Sequence, residues 1–191
     1  MPFQPPAGLM VSVSGVRGRV GESLTPAVVT RFAAAFGSYL RDTVDGRPLV
    51  VVARDSRTSG PMFVRLVTGA LQAVGCGVLD VGLVPTPTAL LAVEQMNAAG
   101  GIIVTASHNP VEWNALKLAS GAGMFLDAEE SRRMRLFLED GQQRWARWDG
   151  VGAVRTDDKA VERHINAVTA LPFLDVGGLR ERRFRVALDG I

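Results

Sequence analysis

The chain has little cysteine, little lysine and almost no net charge. A single cysteine, Cys76, excludes an intramolecular disulfide and favours a reducing compartment. Because Cys76 stands in an apolar stretch, we predict that it is a small core residue. Nineteen acidic and 21 basic residues give a formal net charge of +2, too small to indicate a nucleic-acid or membrane-surface partner. No apolar run approaches the roughly 20 residues of a membrane span, and the N-terminus does not resemble a signal peptide. We therefore expect a cytoplasmic protein.

Almost all basic residues are arginine, and only Lys117 and Lys159 are lysines. Arginine keeps its proton in proteins, whereas a partly buried lysine can release one. Lys159 lies in the polar run RTDDKAVER, so we interpret it as a surface residue. Lys117 follows a loop rich in reactive residues, and two interpretations stay open for it, chance and a role in proton transfer.

Strand-like and helix-like segments alternate through the first half of the chain. The short apolar runs LVVVA, GVLDVG and GIIVTA predict buried strands, and each follows a longer amphipathic segment, the first of which opens at Thr25-Pro26. This order predicts an α/β fold, a three-layer αβα sandwich with a mostly parallel mixed sheet. Ligands of such sheets lie beyond the carboxyl ends of the strands. Those ends carry the loops RDSRTSGP, GLVPTPT and SHNPVEWN.

The second half of the chain is less regular. ALKLASGAGMFL predicts a hairpin-like pair of extended pieces, and Asp127 is placed to cap the helix that follows. The polar segment QQRWARWDGVGAVRTDD is a candidate linker, DKAVERHINAVTAL a helix and FRVALDGI a strand. We therefore expect one domain over residues 1–150, and a linker with the truncated start of a second αβ domain over residues 151–191.

Ser107 and His108 follow the third predicted strand in the sequence TASHNP. A Ser-His-Asp hydrolase is one interpretation, but the G-x-S-x-G elbow of α/β-hydrolases is absent. Neighbouring side chains on an extended chain point apart, so His108 is expected to be badly placed to deprotonate Ser107. Serine can instead carry a transferable group.

Four arginines in predicted loops favour a phosphate ligand over an acyl group. The planar guanidinium matches phosphate oxygens bidentately, and the glycines around Arg17 would let backbone N–H groups approach an anion. The alternative is that these arginines are only solvated. The four are Arg17, Arg19, Arg54 and Arg57.

The same stretches resemble the motifs of the α-D-phosphohexomutases. TASHNP followed by NALK resembles the family's phosphoserine loop and the N-G-x-K element after it, and three more pieces match in order: SGVRG, ARDSRTSGPMF and GLVPTPT. Two positions depart from the pattern, because Ala53 and Ala115 replace glycines. A glycine can adopt a positive φ that alanine adopts only with strain, so the segment before Lys117 is expected to differ in shape.

The resemblance implies a role for each matching residue. Ser107 would be a phosphoserine that exchanges its phosphoryl group with a sugar phosphate, and Lys117 would handle the proton of the sugar hydroxyl. Arg17 and His108 would assist at the phosphate, and Arg54, Asn109 and Lys117 would bind phosphate or substrate. For His108 and Asn109 a purely loop-shaping role is the alternative. Mg²⁺ would bind Ser107 through its phosphate, with its remaining ligands outside this chain.

The implied reaction interconverts the 1-phosphate and 6-phosphate of a hexose, with the hexose 1,6-bisphosphate as intermediate or activator. A phosphomannomutase/phosphoglucomutase is the first expectation, and a phosphoglucosamine mutase or a non-catalytic phosphosugar-binding module are the alternatives. The family's D-G-D-x-D-R metal motif is absent from these residues, so the chain alone is expected to be inactive. Sequence gives no oligomeric state.

Overall fold

Seven strands form one mixed sheet in the computed structural model, which describes residues 3–139 and 141–189. The order across the sheet is β1-β2-β6-β5-β3-β4-β7. The strands are β1 (Met10–Ser12), β2 (Gly15–Arg19), β3 (Leu49–Arg54), β4 (Gly77–Leu83), β5 (Gly100–Val104), β6 (Trp113–Ser120) and β7 (Val154–Thr156).

Most strands of this sheet run in the same direction. β3 pairs in parallel with both β4 and β5, and β7 pairs in parallel with β4. β6 is antiparallel to its neighbours β5 and β2, and β1 is antiparallel to β2. The antiparallel half therefore lies beside β5, the strand that leads into the loop with Ser107.

Five of the six helices within the described residues cover the two faces of the sheet. Helices α1, α2 and α4 share one hydrophobic core with the sheet, and α3 and α5 lie over the other face. The predicted three-layer αβα sandwich is confirmed. The helices are α1 (Pro26–Thr43), α2 (Gly60–Ala73), α3 (Thr86–Gln95), α4 (Ala128–Glu139), α5 (Ala160–Thr169) and α6 (Val176–Glu181).

The helix ends follow from local sequence. Thr25 caps α1 by accepting a hydrogen bond from the N–H of Val28, and Pro26 occupies the first helical position. At α4 the N–H of Glu130 donates to Asp127 Oδ1 at 2.8 Å, while the N–H of Asp127 donates to Glu130 Oε2 at 3.0 Å. This reciprocal capping box confirms Asp127 as the N-cap.

Apolar strands between two helical layers place their side chains in two cores. In β3, Val50 and Val52 face the core under α1 and α2, while Val51 faces the core under α3. This alternation is the expected result of a strand covered on both faces. Cys76 is fully buried within the core under α1 and α2, and burial raises the pKa of its thiol to about 12. The prediction that it is a small core residue is confirmed.

Three predictions of local structure are wrong. The glycine-rich segment near Arg17 is not a loop, because residues 15–19 form β2 between two partner strands. The candidate linker is not irregular throughout, because residues 154–156 add β7 to the sheet edge. Residues 184–189 do not form the predicted strand, since no strand within residues 3–139 and 141–189 pairs with them. Gly190 and Ile191, the end of that prediction, lie outside the described residues.

No helix among the described residues combines the length and the apolar character needed to cross a bilayer.

Candidate active site

The loop between β5 and β6 presents Ser107 to solvent. Ser107 has a φ of +56°, an uncommon value for a residue other than glycine. Its N–H donates to Thr105 Oγ1 at 3.1 Å, and the N–H of Asn109 donates to the carbonyl of Ala106 at 3.1 Å. The chain therefore turns sharply at the end of the central strand and leaves the hydroxyl accessible.

This turn overturns the expectation that Ser107 and His108 point apart. The expectation assumed extended backbone, whereas the left-handed conformation of Ser107 brings its Oγ to 3.4 Å from His108 Nδ1. That distance is at the long end for a hydrogen bond involving a hydroxyl. His108 is thus close enough to interact with a group attached to Ser107.

Arg17 and Lys117 project from the same face of the sheet beside this loop. β2 and β6 are antiparallel, and their register pairs Gly15 with Lys117 and Arg17 with Ala115. Directly paired residues share a face, and so do residues two apart on one strand. The two cations therefore come from adjacent strands. The ammonium of Lys117 lies over the ring of Phe125, 5.3 Å from its centroid.

Most of the predicted site residues line one open cavity of about 360 Å³. Its walls are the β1–β2 turn with residues 15–17 of β2, residues 115–117 of β6, and the loop after β5. Five of the predicted site residues line it, and they are Arg17, Ser107, His108, Asn109 and Lys117. A hydroxyl, an imidazole and two cations facing a common space are suited to bind and transfer an anionic group.

Arg54, the sixth predicted site residue, does not line this cavity. It is the last residue of β3 rather than a loop residue, and its Nη1 donates to the neighbouring carbonyl of Asp55 at 3.0 Å. Arg19 is also on a strand, where its guanidinium lies over the ring of Trp113. The arginine pattern therefore predicted cations near the site without separating those that face the cavity from those that do not.

The sequence interpretation did not identify Arg57 as the residue that ties the loop together. Its guanidinium donates to four backbone carbonyls around Ser107 and to the carboxylate of Asp55. Its side chain is 11% exposed. The ARDSRTSG motif contained Arg57, but nothing in the sequence distinguished an arginine that binds backbone carbonyls of the loop from one that binds phosphate.

Asn114 links the two motifs that flank the cavity. It is fully buried, and its Nδ2 donates to Ser59 Oγ at 2.8 Å while its Oδ1 accepts from the N–H of Ala115 at 2.8 Å. Ala115 is not among the described residues with positive φ. Residue 115 is extended within β6, so alanine carries no strain from a positive φ at this position.

The described residues offer no set of side chains suited to hold Mg²⁺ by themselves. Over residues 3–139 and 141–189 there is no group of three or more His, Cys, Asp and Glu side chains that could hold a metal ion. Mg²⁺ prefers several oxygen ligands. The residues of the cavity therefore do not fit a complete metal site.

Comparison with known proteins places this arrangement in a family. The family model for the phosphoglucomutase/phosphomannomutase α/β/α domain I matches residues 9–144. This chain belongs to the phosphoglucomutase/phosphomannomutase family. The resemblance predicted from the four motifs is confirmed.

Relatives within the family carry more than one activity in their names. A phosphoglucomutase/phosphomannomutase of Thermococcus kodakarensis is 38% identical over 183 residues, which cover 95% of this chain and 39% of that protein. A probable phosphoglucosamine mutase of Methanopyrus kandleri is 36% identical over 173 residues, 91% of this chain and 37% of that protein. The chain thus spans less than two fifths of these family members.

Solved structures agree with the family assignment. The crystal structure of a phosphoglucomutase/phosphomannomutase family protein from Burkholderia thailandensis has a TM-score of 0.69 and 29% identity. The match covers 84% of this chain and 36% of the other. The fold described above is therefore the fold of this family.

Proposed function

We propose that this chain supplies the phosphoryl-carrying serine of a phosphohexomutase. The observation that carries the proposal is the single cavity shared by Ser107, His108, Arg17 and Lys117. Family membership supports the general activity, and the relatives' names include both hexose and hexosamine phosphate mutases. The preferred sugar is proposed to be glucose or mannose phosphate, with a phosphoglucosamine mutase as the second candidate.

In the proposed reaction Ser107 carries a phosphoryl group in the resting state. The bond between that phosphorus and Ser107 Oγ breaks, and a new bond forms to a hydroxyl oxygen of a hexose monophosphate, giving the hexose 1,6-bisphosphate. The hydroxyl proton leaves to a base, and Ser107 Oγ takes up a proton as its bond to phosphorus breaks. In the return step Ser107 Oγ loses that proton and bonds to the phosphorus at the other end of the bisphosphate. The bond between this phosphorus and the sugar oxygen breaks, the sugar oxygen takes up a proton, and the isomeric monophosphate is released.

The residues around the cavity would supply what this reaction needs. Phosphoryl transfer is catalysed mainly by positioning and by neutralising charge on the transferred oxygens. Arg17 and Lys117 bring positive charge from two adjacent strands, and Asn109 with His108 shapes the loop or contacts the phosphate. Lys117 is the proposed proton carrier, because an ammonium can release a proton and a guanidinium cannot.

The proposed cofactor is Mg²⁺, which Ser107 would hold through its phosphate. A divalent cation there would neutralise charge on the transferred oxygens, but the described residues do not provide its carboxylate ligands. Its remaining ligands are proposed to lie outside this chain.

Mass spectrometry and turnover of the intact protein test the role of Ser107. We expect the wild-type protein to carry one phosphoryl group on Ser107 and to interconvert glucose or mannose 1- and 6-phosphates. Ser107→Ala should lose both the added mass and the activity. Full activity in a protein whose Ser107 is never modified would contradict the mechanism. A protein that binds hexose phosphates without turnover would instead favour the binding-module alternative.

The role of Lys117 is tested by Lys117→Arg, which keeps the charge and removes the transferable proton. General acid-base catalysis typically contributes about 10²- to 10⁴-fold, so we expect kcat to fall by at least about 10²-fold. Near wild-type turnover would show that position 117 needs only a positive charge.

A further inference from the structure

The guanidinium of Arg57 reaches from the loop after β3 into the loop after β5. Its Nη2 donates to the carbonyls of Ser107 at 2.8 Å and Asn109 at 2.6 Å. Its Nη1 donates to the carbonyls of Pro110 at 2.7 Å and Trp113 at 3.0 Å. One side chain therefore gathers four carbonyls from a seven-residue stretch that contains the reacting serine.

The fifth N–H of this guanidinium is occupied as well. Nε donates to Asp55 Oδ2 at 3.2 Å, and the N–H of Arg57 donates to Asp55 Oδ1 at 3.0 Å. Asp55 is itself tied to the end of β5, because its N–H donates to the carbonyl of Val104 at 3.1 Å. A guanidinium has five N–H donors, so the donors of Arg57 are all committed within the protein.

This full use of donors decides between two roles for Arg57. A phosphate ligand needs N–H groups directed at the anion, and Arg57 has none to spare. The carbonyls it binds are those that a sharp turn directs towards one another, and the turn holds Ser107 at a φ of +56°. Such a conformation costs of order 1–3 kcal/mol and persists only where its surroundings enforce it.

We propose that Arg57 is a positioning residue that fixes the backbone of Ser107 for phosphoryl transfer and does not itself bind the sugar phosphate. The proposal rests on the proposed phosphohexomutase function for its kinetic consequence. Lysine cannot replace Arg57, because its three donors share one tetrahedral nitrogen and cannot reach carbonyls on both sides of a planar fork.

The first test measures the loop directly and does not require mutase activity. Residue-resolved amide exchange of the 191-residue chain is compared for the wild type, Arg57→Lys and Arg132→Lys. Arg132 is the control, an exposed arginine of α4 that pairs with Glu129. We expect the amides of Asn109 and Trp113 to exchange at least about tenfold faster in Arg57→Lys, with the amides of β3 and β5 unchanged. The control should match the wild type.

Unchanged exchange of both loop amides in Arg57→Lys would overturn the proposal. If Arg57→Lys unfolds the whole chain, Asp55→Asn provides the second variant, because it keeps the guanidinium and weakens the two hydrogen bonds by which Asp55 orients Arg57. Faster exchange of the same two amides in Asp55→Asn supports the proposal that Arg57 fixes the loop. Unchanged exchange of these amides in Asp55→Asn overturns it.

The second test uses the activity of the intact protein. Displacing a reacting group by about 1 Å can reduce the rate about 10²-fold, so Arg57→Lys should lower kcat by about that factor and leave KM for the hexose phosphate within about twofold. A raised KM with unchanged kcat would identify a phosphate ligand and overturn the proposal. An inactive wild type would contradict only the proposed function, because the exchange test still measures whether Arg57 holds the loop.

Discussion

Helices α1 and α5 are both amphipathic, but only α1 has its apolar face covered. Eleven residues of α1 are buried, whereas Ala160 is the one buried residue of α5 within the described chain. Large apolar side chains beyond Ala160 are exposed, among them Val161, Ile165, Phe173, Phe184 and Leu188. Apolar residues at helical spacing thus formed a helix in both places, while burial of the apolar face depended on a neighbouring layer.

The sharpest test of this comparison removes one apolar side chain from each helix. Phe32 of α1 is fully buried, and Ile165 of α5 is 57% exposed. Phe32→Ala should lower the free energy of unfolding by about 3–5 kcal/mol through lost burial and a cavity. Ile165→Ala should change it by less than about 0.5 kcal/mol. Denaturant unfolding of the chain measures both, and equal losses would show that α5 is covered in solution.

The strand pair that presents Arg17 and Lys117 should be nearly as sensitive. A Cβ on Gly15 would lie 1.9 Å from the carbonyl oxygen of Leu116, and Gly15 has a φ of +145°. Gly15→Ala should therefore destabilise the chain by about 3 kcal/mol and separate β2 from β6. Gly46→Ala is the matched control, because Gly46 also has a positive φ but open space around it. The control should lose only about 1–2 kcal/mol in the same unfolding measurement.

An ion pair between Arg163 and Asp157 joins α5 to the segment before it, and its removal should have a smaller effect. Arg163 Nη1 donates to Asp157 Oδ1 at 3.0 Å, and a second bond joins Nη2 to Oδ2. The Asp157 side chain is 10% exposed. Asp157→Asn should destabilise the chain by about 1.5–3 kcal/mol, the range for hydrogen bonds to charged groups. A loss below 0.5 kcal/mol would place this pair with ordinary surface pairs.

The same pair predicts a pH dependence. The hydrogen bond from Arg163 is the main cause that holds the pKa of Asp157 below its ordinary value of 3.8. A lowered pKa in the folded state means that the unfolded chain binds the proton more readily, so the stabilisation is complete above that ordinary pKa. It is lost as pH falls through the lower pKa of the folded state. Unfolding measured from pH 6 to pH 2 should show this loss in the wild type and not in Asp157→Asn.

The smallest expected effect is a gain. Gly69 is an exposed interior residue of α2, and a Cβ there would meet no atom within 4 Å. Gly69→Ala should stabilise the chain by about 0.5–1 kcal/mol, because alanine loses less conformational entropy in a helix. Thermal unfolding measures the shift, and a lower midpoint would mean that this surface of α2 does make contacts.

Much of the site was predictable because its signals are local. Ser107, His108 and Asn109 follow an apolar strand directly, so the rule for the carboxyl ends of strands located them. Arg17 and Lys117 were predicted as cations near the site, and both line the cavity that Ser107 also lines. Their presence on paired strands was not predictable, because the glycines of the β2 segment also suit a turn.

Arg57 shows which properties local sequence patterns cannot predict. Whether an arginine in a polar loop binds an anion or backbone carbonyls depends on where a second loop lies, and that loop is about 50 residues further along the chain. The failed strand at residues 184–189 has a similar cause, because extended chain becomes a strand only when a partner strand supplies its hydrogen bonds.

The sequence by itself determined the alternation of strands and helices, the helix caps at Thr25 and Asp127, and the position of Ser107 directly after a central strand, because these depend on neighbours within a few residues. Only the tertiary structure decided which cations face Ser107, why Ser107 adopts a left-handed conformation, and that Arg57 has no donor left for a ligand. Those properties depend on hydrogen bonds and strand pairing between distant segments, which a linear pattern does not record.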